Sequence, residues 1–118
     1  MIFDYKSSKQ NAINVYLLRG ELIDRNQATA MLSEIEEAIN KNEIKLLLNL
    51  SELKYLNSSG LNVLINILTK ARKAGGDVAI CCVTKKVNEL FVITKLNSVF
   101  NVCDSTDKAV QILSKTEV

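Results

Sequence analysis

The chain is organised around the sequence Leu53-Lys54-Tyr55-Leu56-Asn57-Ser58-Ser59-Gly60-Leu61-Asn62-Val63-Leu64. An aliphatic run from Ile44 to Leu50 precedes it and predicts a buried strand, and a helical pattern that ends at Gly75-Gly76 follows it. A helix start offers unpaired backbone N–H groups and a partial positive charge, which suit an anion. The residues alone leave open whether Ser58 and Ser59 only cap this helix or are themselves modified.

The composition predicts one globular domain with an aliphatic core. A chain of 118 residues buries roughly two-thirds of its unfolded surface, and 47% of its residues are hydrophobic but only 5% aromatic. The net charge is +2 with both signs mixed along the chain, which argues against nucleic acid or an anionic membrane as an electrostatically driven partner. No apolar run approaches the roughly 18 residues of a membrane span, and the N-terminus lacks a secretory signal pattern.

The missing residue types argue against catalysis. There is no His, which removes Ser-His-Asp and Cys-His mechanisms and most catalytic zinc sites. Neither GxGxxG nor GxxxxGK[ST] occurs, and the predicted strand ends supply no carboxylate cluster that would hold a metal beside a phospho-accepting aspartate. The cysteines, Cys81, Cys82 and Cys103, lack CxxC spacing and are predicted to be reduced core thiols of a cytoplasmic protein, a redox or metal role being the alternative.

Hydrophobic periodicity predicts the element order β-β-α-β-α-β-α-β-α. The predicted strands are Ile2–Lys6, Ile13–Arg19, Lys45–Leu50, Val78–Val83 and Val99–Val102. The predicted helices start at a cap on Asp24 or Asn26, after Ser59, near Val87 and at Ser105, with Ile93 and Ile112 among their apolar positions and Leu96 in an exit turn. A polar turn is expected at 7–11, a loop at 21–24, and a tight polar turn at Asn57-Ser58-Ser59-Gly60, between the strand that ends at Leu50 and the next helix. This alternation predicts an α/β fold in which a mixed, mostly parallel sheet of about five strands packs against about four helices.

The helix after the two serines has a wide apolar arc. Its predicted core stripe is Leu61, Leu64, Ile65, Leu68 and Ala71. Val63 and Ile67 lie at the margin of this stripe, where they either pack under a neighbouring helix or form a patch that faces a partner.

The turn Asn57-Ser58-Ser59-Gly60-Leu61 resembles the D-S-[ST]-G-[LIV] motif of STAS domains, specifically those of bacterial anti-sigma factor antagonists. The segment Gly20–Asp24 resembles the family's G-E-L-D segment, and Leu48–Leu53 resembles its L-D/N-L-x-x-L approach. The resemblance covers nearly the whole chain, so residues 1–118 are expected to form one STAS domain.

What the resemblance implies is partner switching in the regulation of transcription. In that family the unphosphorylated antagonist binds an anti-sigma factor that is also a serine kinase, phosphorylation of the motif's first hydroxyl releases it, and a Ser/Thr phosphatase restores binding. The phosphorylated residue maps to Ser58, and the antagonist has no cofactor or metal of its own. Partner contacts in the family map to Ile23, Asp24, Asn57, Ser58, Ser59, Gly60, Asn62 and Val63.

Two departures from the family pattern keep other functions open. Asn57 stands where the motif usually has Asp, and Leu22-Ile23-Asp24 contains one residue more than the family's segment. The alternative is a STAS scaffold or regulatory subunit of an ATPase, in lipid transport or a signalling assembly, without a phosphorylation cycle. A small hydrolase or nucleotide-binding enzyme is the third hypothesis.

Overall fold

The computed structural model of the protein describes residues 3–10, 12–95 and 100–115. Its elements are β1 (Phe3–Gln10), β2 (Ile13–Leu22), a 3-10 turn (Arg25–Ala28), α1 (Thr29–Asn40), β3 (Lys45–Leu56), α2 (Ser58–Lys73), β4 (Asp77–Cys81), α3 (Lys85–Ile93), β5 (Asn101–Cys103) and α4 (Thr106–Lys115). The five strands lie in the order β1-β2-β3-β4-β5, with β1 antiparallel to β2 and the other pairs parallel. The predicted element order and the mixed, mostly parallel sheet are confirmed. Ile2, Asn11, Leu96 and Val99, which the predictions included, lie outside the described residues.

The sheet is buried on both faces in its centre. Leu46 and Leu48 of β3 face a large core formed with α1, α2 and α3, whereas Leu47 faces a smaller core under α4. The two faces of β2 also pack into different cores, because Tyr16 lies in the large core and Ile13 in the smaller one. Successive side chains of a strand point to opposite faces, so an uninterrupted leucine run is what a doubly covered strand requires.

Three of the predicted strands end too early, because strand pairing continues into the polar sequence that follows them. β1 continues through the expected turn at Ser7 and pairs up to Gln10 opposite Ile13. β2 runs to Leu22 and β3 to Leu56, and these two residues are paired with each other. The pairing of β2 with β3 shifts register twice, between Leu17 and Arg19 and between Gly20 and Glu21, and each shift leaves one extra residue in β3.

The burial of the helices corrects further predictions. Val63 and Ile67 are 1% and 0% exposed, so they pack inside, and the hypothesis of a partner-facing patch is wrong for this pair. Ile93 and Ile112 are 77% and 40% exposed and do not belong to the core. β4 ends at Cys81, earlier than predicted, and Cys82 adopts a left-handed φ of 62° there. No described helix has the length and apolar character needed to cross a membrane.

Candidate functional site

The two serines lie at the junction where β3 passes directly into α2. Asn57 is the N-cap of α2: its side-chain oxygen accepts a hydrogen bond from the Gly60 N–H at 2.9 Å. Its amide nitrogen donates to the Ile23 carbonyl at 3.0 Å. The expectation that a serine caps this helix is therefore wrong. Ser58 and Ser59 are exposed, and within the described part of the chain neither hydroxyl makes a hydrogen bond.

Gly60 allows α2 to begin in close contact with the ends of β2 and β3. A Cβ atom at this position would lie 2.1 Å from the Leu22 carbonyl oxygen and 2.7 Å from the Leu56 Cδ1. Gly60 is also buried, as is Val63 one turn along the helix. Two of the predicted partner contacts, Gly60 and Val63, are therefore buried in the free chain, and Val63 still lines a depression beside the motif.

The loop beside the motif is held by its own cap. Asp24 caps the 3-10 turn by accepting from the Asn26 N–H at 2.9 Å, which decides between the two predicted cap residues. The Gln27 side chain accepts from the N–H groups of Ile23 and Asp24 at 2.9 and 3.1 Å. Ile23 is thereby presented to solvent with 40% exposure, while its carbonyl is bound to Asn57. The structure thus brings Ile23, Asp24 and Asn57 together beside Ser58.

A groove of about 350 Å³ lies on the other side of Ser58, against α3. The residues that line it are Tyr55, Leu56, Asn57, Ser58, Lys86, Val87, Glu89, Leu90 and Ile93. The Lys86 ammonium lies 5.2 Å from the centre of the Tyr55 ring, within the range of a cation–π contact. The sequence did not predict Tyr55 or Lys86 as site residues, because only the fold brings α3 next to the motif.

A second depression, of about 340 Å³, lies on the opposite side of the motif. It is lined by Arg25, Ser59, Asn62, Val63, Ile65 and Asn66. Asn62 is exposed here, as expected for a residue that contacts a partner. Ser58 therefore borders one depression and Ser59 the other, and both depressions are lined by apolar as well as polar groups.

The three thiols lie at or next to the C-terminal ends of β4 and β5, and none of them is among the residues that line the two depressions. Cys81 and Cys103 are buried, as predicted, whereas Cys82 is half-buried. The thiols of Cys81 and Cys82 lie 3.6 and 3.9 Å from the Thr106 hydroxyl. Burial raises the pKa of Cys81 to about 12, which opposes formation of a reactive thiolate. Among the described residues, no cluster of three or more His, Cys, Asp or Glu side chains is arranged to hold a metal ion.

Comparison with known proteins supports the architecture and identifies the family. The anti-sigma F factor antagonist of Paenibacillus polymyxa is 28% identical over 102 residues, which span 86% of this chain and 84% of that protein. An anti-sigma factor antagonist from Mycobacterium paratuberculosis superposes with a TM-score of 0.81 at 20% identity, over 96% of this chain and 95% of that one. The Bacillus cell fate determinant SpoIIAA, solved in its phosphorylated form, gives a TM-score of 0.74 at 17% identity, over 92% of this chain and 98% of that one.

These structural similarities, at identities below a quarter, establish the fold. The family itself follows from the sequence, because the model of the STAS domain matches residues 5–109. This match spans every strand and helix from β1 to the first turn of α4 and includes the whole Asn57–Leu61 motif. The chain belongs to the STAS domain family.

Proposed function

We propose that this protein is an anti-sigma factor antagonist that binds an anti-sigma factor with serine kinase activity and is released when that kinase phosphorylates Ser58. The observation that carries the proposal is the free hydroxyl of Ser58 at an exposed helix start. Because Asn57 performs the capping, the Ser58 hydroxyl can accept a phosphoryl group without loss of a structural hydrogen bond. The name of the Paenibacillus relative and the two antagonist folds support the same function.

Phosphorylation at this position changes the surface and leaves the fold intact. A phosphoserine carries roughly −1.5 to −2 charges at neutral pH, and the start of the 16-residue helix α2 is a favourable electrostatic position for negative charge. The added group lies beside the exposed side chains of Ile23 and Tyr55. A partner that packs against these apolar groups would have to bury the phosphate, which costs binding energy unless the charge is paired.

The surface assigned to the partner consists of the exposed members of the predicted set. These are Ile23, Asp24, Ser58, Ser59 and Asn62, together with the half-buried Asn57. In this scheme the kinase binds ATP, and a Ser/Thr phosphatase restores the free hydroxyl. The antagonist acts in the bacterial cytoplasm, and its partners are proteins rather than nucleic acid. It performs no reaction of its own.

Asn57 preserves the geometry on which this function depends. An aspartate at this position would also accept from the Gly60 N–H, but it has no N–H to donate to the Ile23 carbonyl. The amide therefore joins the motif to the Ile23 loop, both of which belong to the proposed partner surface. Its lack of charge also reduces repulsion of a phosphate on the next residue.

The test is the affinity of the protein for its anti-sigma kinase, measured by calorimetry without ATP for the parent, Ser58→Asp and Ser59→Asp. We expect a stoichiometric complex with the parent and at least a tenfold loss with Ser58→Asp, about 1.4 kcal/mol, and a smaller loss with Ser59→Asp. Equal affinity of the parent and Ser58→Asp would contradict the switch. Co-purification with a transporter ATPase instead of a kinase would support the scaffold alternative.

A further inference from the structure

Lys86 shares the groove with Ser58 and occupies a position that costs helix stability. It lies in the first turn of the nine-residue helix α3, directly after Lys85, and no acidic residue is present in this turn. Positive charge is unfavourable at the N-terminal end of a helix, where the macrodipole is positive. Lys86 is exposed, and its ammonium contacts the Tyr55 ring. This contact alone does not explain why a lysine occupies an unfavourable position in the helix.

The charges that line this groove single out Lys86. Of the described residues around it, Lys86 is the cation and Glu89 the anion, and the rest are apolar or neutral at physiological pH. Lys85 borders a different cavity, on the side of Cys82 and Asp104. A phosphate on Ser58 would add a second anion to the groove, and Lys86 is the group in the lining that can neutralise it.

We propose that Lys86 is the positioning residue for phosphorylated Ser58: its ammonium moves from the face of Tyr55 to the phosphate and holds that group in the groove. This inference rests on the proposed function, because it assumes that Ser58 is the phosphorylated residue. An ammonium–phosphate hydrogen bond replaces a cation–π contact, and charge-assisted bonds of this kind are among the strong ones. The exchange also withdraws Lys86 from the Tyr55 surface, so phosphorylation changes the groove as well as the motif.

The experiment uses the full chain with phosphoserine incorporated at position 58 by genetic encoding, so that no kinase is needed. The second ionisation of the phosphate is followed by phosphorus NMR as a function of pH in the parent, Lys86→Gln, Lys86→Arg and the matched control Lys85→Gln. A nearby ammonium favours the dianion and so lowers the pKa of the phosphate. Lys86→Gln should therefore raise this pKa by about 0.5, a threefold change in proton affinity.

Lys86→Arg should keep the parent value because the guanidinium has the same charge, and Lys85→Gln should raise the pKa by less than half as much as Lys86→Gln. The proposal is overturned if Lys86→Gln raises the pKa by less than about 0.3, if Lys85→Gln matches it, or if Lys86→Arg behaves like Lys86→Gln. Failure of a kinase to modify Ser58 would overturn the proposed function but leave this measurement unaffected, so the two failures are distinguishable.

Discussion

Replacement of Asn57 by alanine tests how the motif is built. The change removes two hydrogen bonds: the one that the side-chain oxygen accepts from the Gly60 N–H and the one that the amide donates to the Ile23 carbonyl. Loss of an N-cap side chain costs about 1 kcal/mol, and loss of the second bond costs about 1 kcal/mol more. We expect Asn57→Ala to lower the free energy of unfolding by about 2 kcal/mol, which lowers the melting temperature by about 8 °C in a domain of this size.

Asn57→Asp is the matched variant, because it keeps the acceptor and removes only the donor. The carboxylate gains about 0.5 kcal/mol from the helix dipole and loses about 1 kcal/mol with the bond to the Ile23 carbonyl. Its net cost should therefore be about 0.5 kcal/mol, clearly smaller than that of the alanine variant.

Urea unfolding followed by far-ultraviolet circular dichroism measures both variants under the same conditions. The capping role of Asn57 is refuted if Asn57→Ala costs less than about 0.5 kcal/mol, because Ser58 or Ser59 would then be able to replace Asn57 as the cap. It is also refuted if Asn57→Asp costs as much as Asn57→Ala, since the acceptor at the Gly60 N–H would then contribute nothing measurable.

Three further predictions concern the packing around the site and the buried ionisable groups. Gly60→Ala should destabilise the protein by roughly 3 kcal/mol in the same urea assay, because its Cβ would overlap a backbone oxygen; Ser59→Ala, the exposed control, should change stability by less than about 0.5 kcal/mol. Burial raises the pKa of Tyr16 to about 12, so between pH 10 and about 12 its phenol ionises in the unfolded chain but stays protonated in the folded one. Stability should therefore fall as pH rises through this range, by at most about 1.4 kcal/mol per pH unit. Tyr16→Phe should reduce this slope, and an unchanged slope would contradict its assignment to Tyr16. At neutral pH a thiol reagent should modify half-buried Cys82 before buried Cys81, as peptide mass spectrometry can show, and prior labelling of Cys81 would contradict the structure.

The fold was predictable where burial dominates the sequence pattern. The run Leu46-Leu47-Leu48 predicted a strand covered on both faces, and all three side chains are completely buried. Strand ends were not predictable, because Ser7–Gln10 of β1 and Ser51–Leu56 of β3 are polar or mixed and are extended only through pairing with β2. Such pairing is a tertiary effect that local composition does not encode.

The candidate site was predictable in its motif but not in its neighbours. The spacing of the Asn57–Leu61 motif located Ser58 near the start of a helix. The family resemblance then predicted that the Ser58 hydroxyl is the one that is modified. The sequence did not predict that Asn57 caps the helix and leaves the Ser58 hydroxyl free. The backbone conformation decides which side chain reaches the Gly60 N–H. The approach of Lys86 and Ile93 depends on how α3 packs against the end of β3 and lies beyond any local pattern.

The proposed switch depends on which residue the kinase phosphorylates. The protein is incubated with its purified anti-sigma kinase and ATP, and the mass of the intact chain and of its peptides is measured for the parent, Ser58→Ala and Ser59→Ala. We predict one phosphate per chain on Ser58 in the parent and in Ser59→Ala, and none in Ser58→Ala. An unmodified parent chain, or equal modification of Ser58→Ala, would contradict the account.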